Sequence, residues 1–593
     1  MDLLTEKEKW RLSILLVGVV LVALLQIVGV GSIIPLLSVI ADPDQIRDQT
    51  VVEFASDFIE FSDTNSIVIF LASMSFVLIV GSNTLAALVA WVTFRVVWSI
   101  HGRLSTELLA MYLSHPYEAL LTKNPAEVEK NVLEEIAVFT TGVVRPVLRL
   151  VASAVVIVML IGFLVWFNPV MAGITVAFLG GGYVVTFLLV RRSLTNAGER
   201  RASANEGRFK AASEAISGAK EIQILGRRRE FINRYYAPAR KYAMATAQQN
   251  IIAEMPRYTI EVLAFGSILI VALYIALSSG DLKEIAPIIS VYALAGYRLI
   301  PAMQRAYSDW SGIRFNQVIV PQLHRAHLEG LEFQRKQGDV QTGSFDIERG
   351  IEIAGLEYRY PESDERVFRG LDLTVKRGQT VSFIGETGSG KTTLVELLIG
   401  ILRPTSGNIS VDDEELGDHN MRRWQNSMGY VPQDIFLIDD SISANIALGV
   451  PTSEIDFEAV RVAAKTANID AFISSELPEK YDTVIGARGV RLSGGQRQRI
   501  GIARALYHKP SVLFLDEATS NLDQDTEHLL HETLERVSTD MTVVIVAHRL
   551  RTTRSSDAIY VLDKGQIVGS GTYDELVDAD GNLRTGYSST GNE

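Results

Sequence analysis

Gly385-Glu386-Thr387-Gly388-Ser389-Gly390-Lys391-Thr392-Thr393 decides how the rest of the chain is read. It fits the spacing G-x-x-x-x-G-K-[ST]. Before it, Thr380-Val381-Ser382-Phe383-Ile384 is short, apolar and β-branched, which predicts a buried strand. After it, Thr393-Leu394-Val395-Glu396-Leu397-Leu398-Ile399 predicts a helix. Glycines let backbone N–H groups converge on phosphate oxygens, and the helix N-terminus adds the positive end of its dipole. In such a loop Lys391 reaches the terminal phosphates and Thr392 holds Mg²⁺.

Working outward, the chain has 593 residues, 48% of them hydrophobic, with a formal net charge of −13 and no cysteine. The charge argues against general nucleic-acid binding. The missing cysteines exclude disulfides and thiolate metal sites. Apolar residues concentrate in the first half, where spans are expected at about 12–40, 66–98, 136–167, 169–192, 256–279 and 285–310. The first is read as a retained span, not a removable leader. Lys7, Lys9 and Arg11 precede it and an acidic loop follows it, so the N-terminus is expected in the cytoplasm. In that loop Val51, Phe54, Ala55, Phe58 and Phe61 predict a short amphipathic helix, either at the outer interface or packed on the protein.

The connections at about 99–135 and 193–255 are long, charged and helix-periodic, so the spans are expected to continue below the membrane. His115-Pro116-Tyr117-Glu118 and Leu225-Gly226-Arg227 interrupt that periodicity and mark turns. At 1.5 Å per residue, Arg145 and Arg149 fall roughly 33 and 27 Å below the outer end of their helix. Arg257, Arg298 and Arg305 lie at comparable depth, near the inner headgroup level. Such arginines form a site for an anionic headgroup, or else snorkel or pair, as Arg257 can with Glu261.

The organisation expected is a membrane domain over 1–325, a linker over 326–349, an α/β domain over 350–580 and a polar tail over 581–593. Within the α/β part, Tyr360 lies upstream of the phosphate loop, where it can stack on a base, and Gln433 ends an apolar strand. Ser493-Gly494-Gly495-Gln496 opens a helix with an anion-binding N-terminus. Val512-Leu513-Phe514-Leu515-Asp516-Glu517 delivers two carboxylates from a buried strand. Asp516 can order Mg²⁺ through its water shell, and Glu517 can act as general base. Asp523 follows in a turn, and His548, at the end of Thr542–Ala547, can bond the terminal phosphate.

Taken together, these motifs resemble, in order and spacing over about 350–575, the nucleotide-binding domain of an ABC transporter. With six spans ahead of it, the chain resembles an ABC exporter half-transporter: an α-helical six-span transmembrane domain followed by an α/β P-loop domain. The resemblance implies ATP and Mg²⁺ as cofactors, Glu517, His548, Lys391 and Gln433 in catalysis, and Thr392, Gln433 and Asp516 around the metal. It further implies a dimer in which the phosphate loop of one chain and Ser493–Gln496 of the other share each ATP with Tyr360 and Asp523. The turns at Pro116-Tyr117 and Gly226-Arg227 look like the coupling helices of that family. Ala487 departs from the family pattern, which often has Glu there.

Lys123–Glu127, Ala219–Gly226, Tyr297–Pro301 and the expected outer helix look similar to bacterial lipid-linked oligosaccharide flippases. That narrower resemblance implies a polyprenyl-pyrophosphate-linked glycan met by Arg145, Arg149, Arg257, Arg298 and Arg305. Glu517 and His548 both match the ABC consensus, so two competent sites in a homodimer of the cytoplasmic membrane are expected, with a heterodimer as the alternative. A broad drug or lipid A-type exporter is the alternative. A non-transporting regulatory ATPase is a reading of another class.

Overall fold

The computed structural model describes residues 3–33, 36, 64–167, 169–278, 282–336, 343–361, 363–486, 489, 492–517, 541–547, 550–577 and 583. The chain separates into two compact units. One comprises Met1–His115 with Lys123–Phe333, and the other Pro116–Thr122 with Gln334–Glu593.

The first unit is helical. Its long helices are Glu6–Gly31, Thr64–Leu113, Arg145–Phe167, Pro169–Ser217, Arg228–Ser278 and Leu282–Asn316. Among the described residues, Glu6–Gly29, Asn65–Leu113 and Pro125–Trp166 are long and apolar enough to cross a membrane, with mean hydropathies of 2.8, 2.0 and 2.7. A helix of 50 residues, such as Thr64–Leu113, runs about 75 Å at 1.5 Å per residue. That is more than twice the hydrocarbon thickness, so it must continue far outside the bilayer. Large apolar side chains such as Phe76, Val158 and Trp166 are exposed on this unit, as a lipid-facing surface requires.

Where the helices leave the apolar zone charges appear, and several of them are paired. Glu135 and Arg201 are both buried and form an ion pair at 3.0 Å, and Asn205 donates to the same carboxylate at 3.0 Å. Arg208 pairs with Glu134 at 2.7 Å, and Tyr242 donates to Glu134. The helix carrying these acids is irregular, with π-helical turns at Lys130–Glu135 and Thr140–Val144 separated by Ile136–Phe139. Arg103 donates to Glu8 and to the carbonyl of Leu3, tying the N-terminal lead-in to the second helix. At Gly198 the helices touch backbone to backbone: a Cβ there would lie 2.2 Å from the carbonyl oxygen of Phe315.

The turns expected from broken periodicity coincide with helix breaks. One helix ends at Leu113 and the next starts at Tyr117, and Gly226 takes φ +65° between Ile224 and Arg228. Residues 51–61, where the outer amphipathic helix was expected, lie outside the described residues.

The second unit is built on two sheets. β1 (Gly350–Arg359), β2 (Arg366–Lys376), β4 (Ser406–Val411) and β5 (Glu414–Glu415) form an antiparallel sheet in the order β2-β1-β4-β5. The second sheet has the order β10-β9-β3-β8-β7-β6, from β3 (Thr380–Ile384), β6 (Met428–Val431), β7 (Val512–Asp516), β8 (Thr542–Val546), β9 (Ala558–Asp563) and β10 (Gln566–Gly571). All its pairs are parallel except β9 with β10.

Every residue of β3, β7 and β8 is buried, the pattern of strands covered on both faces. Their alternating side chains feed two cores. Leu513, Leu515, Val543 and Ile545 pack with the helix Gly494–Tyr507, while Val512, Phe514, Val544 and Val546 pack with Lys391–Leu398 and the antiparallel sheet.

Candidate nucleotide and substrate sites

Parallel sheets expose their loops at the carboxyl ends of the strands, and ligands gather there. β3 ends at Ile384 and delivers the glycine loop. β6 ends at Val431, two residues before Gln433. β7 ends at Asp516 and hands over Glu517. The topology therefore brings three sequence-distant segments to one edge. Gln433 Nε2 donates to Glu517 Oε2 at 2.6 Å, which shows that they meet.

The glycine loop adopts the shape its sequence requires. Gly385, Gly388 and Gly390 have φ of +154°, +85° and +104°. A Cβ on Gly385 would sit 2.1 Å from the Leu562 carbonyl oxygen, and one on Gly390 would press on Phe368 at 3.0 Å. Glu386, Thr387 and Ser389 fill the rest of the loop, and Thr392 and Thr393 lie in the first turn of the helix that follows. Lys391 is buried and donates to the carbonyls of Gly385 and Glu386 at 2.8 and 2.9 Å. Burial holds its ammonium below the ordinary lysine value, against the opposing pull of Glu517 and Asp516.

Asp516 is buried. Glu517 has a left-handed backbone with φ +48°, and its N–H donates to the Val546 carbonyl at 3.1 Å. A non-glycine residue in that region costs free energy that its surroundings must supply. Ser493 caps the helix Gly494–Tyr507 in a reciprocal box: its hydroxyl accepts from Gln496 N–H at 3.2 Å, and Gln496 Oε1 accepts from Ser493 N–H at 2.8 Å. Gly494 and Gly495 form the first turn.

Tyr360 lies just past the end of β1, and its hydroxyl lies 3.1 Å from Thr393 Oγ1, so it rests against the phosphate-loop helix. Its neighbour Tyr358 packs edge-on against it at 5.1 Å, and the Tyr358 hydroxyl donates to Glu118 Oε1 at 3.2 Å. The same oxygen accepts from Arg403 N–H. Sequence reading marked Glu118 only as part of a turn and missed this pair, because the contact spans 240 positions. Asp523, Ala487 and His548 lie outside the described residues.

The described residues hold no group of three or more His, Cys, Asp or Glu suited to a metal ion. A hard cation here would be held largely by phosphate oxygens and water. The hydroxyl of Thr392 and the carboxylate of Asp516 have the donor chemistry that suits Mg²⁺.

In the helical unit, Arg145, Arg149 and Arg305 line one cavity of about 240 Å³. Its walls are largely apolar, including Val22, Val89 and Val156, with Gln26, Thr93 and Ser153 as further polar groups. Arg145 stacks on Phe94 at 4.1 Å. Arg149 is ion-paired with the buried carboxylate of Asp309. Sequence reading missed Asp309, although it stands one helical turn after Arg305. Of the other two expected arginines, neither lines this cavity. Arg257 is exposed and paired with Glu261 on its own helix at 3.1 Å. Arg298 stands two turns before Arg305. A second basic cavity of about 440 Å³ is lined by Arg191, Arg192, Thr195, Asn196 and Arg314.

With this geometry in hand, comparison with known proteins defines the class. Residues 12–287 match the ABC transporter transmembrane region, and residues 368–520 match the ABC transporter domain. The chain is 30% identical over 514 residues to a protein named ATP-dependent lipid A-core flippase from Alkalilimnicola ehrlichii, covering 83% of this chain and 82% of that one. It is 41% identical over 238 residues to Multidrug resistance protein 1 of Entamoeba histolytica, a match covering 40% of this chain and 18% of that one. A solved structure described as a bacterial Atm1-family ABC exporter with ATP bound has the same fold, with a TM-score of 0.76, 23% identity, and coverage of 96% of this chain and 97% of the other.

The chain belongs to the ABC transporter family. It is an ATP-driven exporter in which a helical transmembrane domain is fused to one nucleotide-binding domain.

Proposed function

We propose that this exporter flips an amphipathic, anionic lipid-linked substrate across the cytoplasmic membrane, a lipid-linked oligosaccharide being the favoured cargo. The observation that carries the reading is the cavity in which Arg145, Arg149 and Arg305 stand against apolar walls. Arginines in a membrane domain are costly to keep, and they mark a polar pathway or a partner. Guanidinium forks suit phosphate oxygens, and apolar walls suit the chain attached to them. A relative named as a lipid A-core flippase supports a second reading, a phosphorylated glycolipid of the lipid A type. Both cargoes present an anionic headgroup on a lipid.

The ATPase half would work as follows. The backbone amides of Gly388–Thr392 and the ammonium of Lys391 hold the phosphates of ATP. Thr392 and Asp516 would hold Mg²⁺, which supplies charge neutralisation on the phosphates when bound. Gln433 holds the Glu517 carboxylate in place. Glu517 accepts the proton of the attacking water as the bond between the β- and γ-phosphates breaks. His548 bonds the γ-phosphate, and Tyr360 stacks on the adenine. Ser493–Gln496 present a helix N-terminus to the nucleotide of a second, identical chain, and Asp523 completes that seam.

The test is stimulation of ATP hydrolysis by reconstituted protein exposed to lipid pyrophosphates, phospholipids and hydrophobic cations. Stimulation by anionic lipids that is lost in Arg149→Gln supports the reading. Stimulation by hydrophobic cations alone would replace it with drug export.

A further inference from the structure

A cavity that takes up a headgroup must also let it go, and one residue behind its arginines bears on release. Asp309 lies on the same helix as Arg305 and is almost fully buried, with 2% side-chain exposure. One of its oxygens is bonded to Arg149. The other, Oδ2, is buried with no hydrogen-bond partner among the described residues. Arg145 and Arg305 act electrostatically on the same carboxylate.

The remaining cavity lining is uncharged. The helix Glu6–Gly31 contributes Gln26, the helix Thr64–Leu113 contributes Thr93 and Phe94, and the helix Arg145–Phe167 adds Ser153. Three guanidinium groups therefore face one internal carboxylate. Arg149, half exposed toward the cavity, is the arginine that carboxylate already holds.

We propose that Asp309 is a built-in counter-ion that competes with the substrate headgroup for Arg149, keeping binding weak enough for release. The inference rests on the cavity being a headgroup site. An incoming phosphate that takes Arg149 strips Asp309 of its partner. A buried charge left unpaired is strongly unfavourable, so that cost is subtracted from headgroup affinity. When the headgroup leaves, Arg149 returns to Asp309. Asp309 acts through Arg149 and is thus a positioning residue.

Substitution by the isosteric amide removes the competing charge. The cavity then carries one more uncompensated positive charge, and the gain in affinity grows with the charge on the ligand. The experiment uses the full chain in phosphatidylcholine nanodiscs, with dioleoyl phosphatidic acid or dioleoyl phosphatidylglycerol added. Lipid binding is read by native mass spectrometry, and lipid-stimulated ATP hydrolysis gives an apparent KM and kcat.

Asp309→Asn is expected to lower the apparent KM for phosphatidic acid about 10-fold, and that for phosphatidylglycerol by less, while the stimulated kcat falls severalfold. Arg149→Gln is expected to weaken binding of both lipids, and Asp309→Asn on top of it to add little. An unchanged or raised KM in Asp309→Asn, with binding still lost in Arg149→Gln, would overturn the role of Asp309 and leave the headgroup cavity standing. Undiminished binding in both Arg149→Gln and Arg305→Gln would overturn the cavity and this inference together.

Discussion

Glu517 is placed by two strands and one side chain. β7 delivers it, its N–H is fixed on Val546 of β8, and Gln433 donates to its carboxylate. Glu517→Gln keeps the shape and removes the base, so steady-state hydrolysis should fall at least ~100-fold while ATP binding, measured by equilibrium binding of labelled nucleotide, stays within about twofold. Hydrolysis at the parent rate would remove Glu517 from the chemistry. Gly390→Ala tests the loop itself. It needs a left-handed backbone and forces a methyl onto Phe368, so nucleotide affinity should drop at least ~10-fold; unchanged affinity would mean the loop shape is not what binds.

At this scale the turn from β3 through Gly385–Gly390 into the helix Lys391–Leu398, and the strand that ends in Asp516, were legible in the sequence. Each is a short local pattern whose chemistry fixes its spacing. Asp309 and the Glu118–Tyr358 pair were not. Each owes its meaning to a partner more than a hundred positions away, and a single acid in an apolar helix carries no pattern of its own.

Among elements, the buried ion pair between Glu135 and Arg201 joins the irregular third-span helix to the helix Pro169–Ser217. Removing one partner strands the other in a dry interior at a cost of about 3–5 kcal/mol. Glu135→Ala should therefore lower Tm markedly in a calorimetric or tryptophan-fluorescence melt. Glu135→Leu with Arg201→Met should recover most of the loss. A single substitution without effect on Tm would show that water reaches the pair.

The five-residue helix Tyr117–Leu121 presents Glu118 to two donors. Glu118→Ala should cost about 1–3 kcal/mol, seen as a lower Tm, whereas Glu118→Gln keeps an acceptor oxygen and should be nearly neutral. Equal destabilisation by both would make the charge, not the hydrogen bonds, the stabilising feature. Strand and helix positions in the second unit follow from continuous apolar runs and glycine turns, so periodicity reveals them. The π-helical turns at Lys130–Glu135 and Thr140–Val144 have no such signature. They arise where neighbouring helices dictate which residues face inward, overriding the regular repeat.

For the whole molecule, the proposal joins one ATPase cycle to the passage of one charged lipid. Association is the first consequence. The Glu517→Gln chain given Mg-ATP should form a stable pair of identical subunits by light scattering, since its nucleotide is retained at the shared seam; a monomer under those conditions would contradict the two-chain site. The helical membrane domain and the fused ATPase domain were readable from hydropathy and motif order. The cargo was not, because it depends on which arginines converge across helices, and of five expected only Arg145, Arg149 and Arg305 share a cavity.

The most direct test of the central claim is a flipping assay in proteoliposomes carrying a fluorescent polyprenyl-pyrophosphate glycan, with an impermeant quencher outside. The account predicts movement that requires ATP, vanishes in Glu517→Gln and falls at least ~10-fold in the Arg149→Gln, Arg305→Gln chain, a loss of about 1.4 kcal/mol or more in transition-state stabilisation. Movement that proceeds equally without ATP, or that is untouched by loss of both arginines, would contradict it.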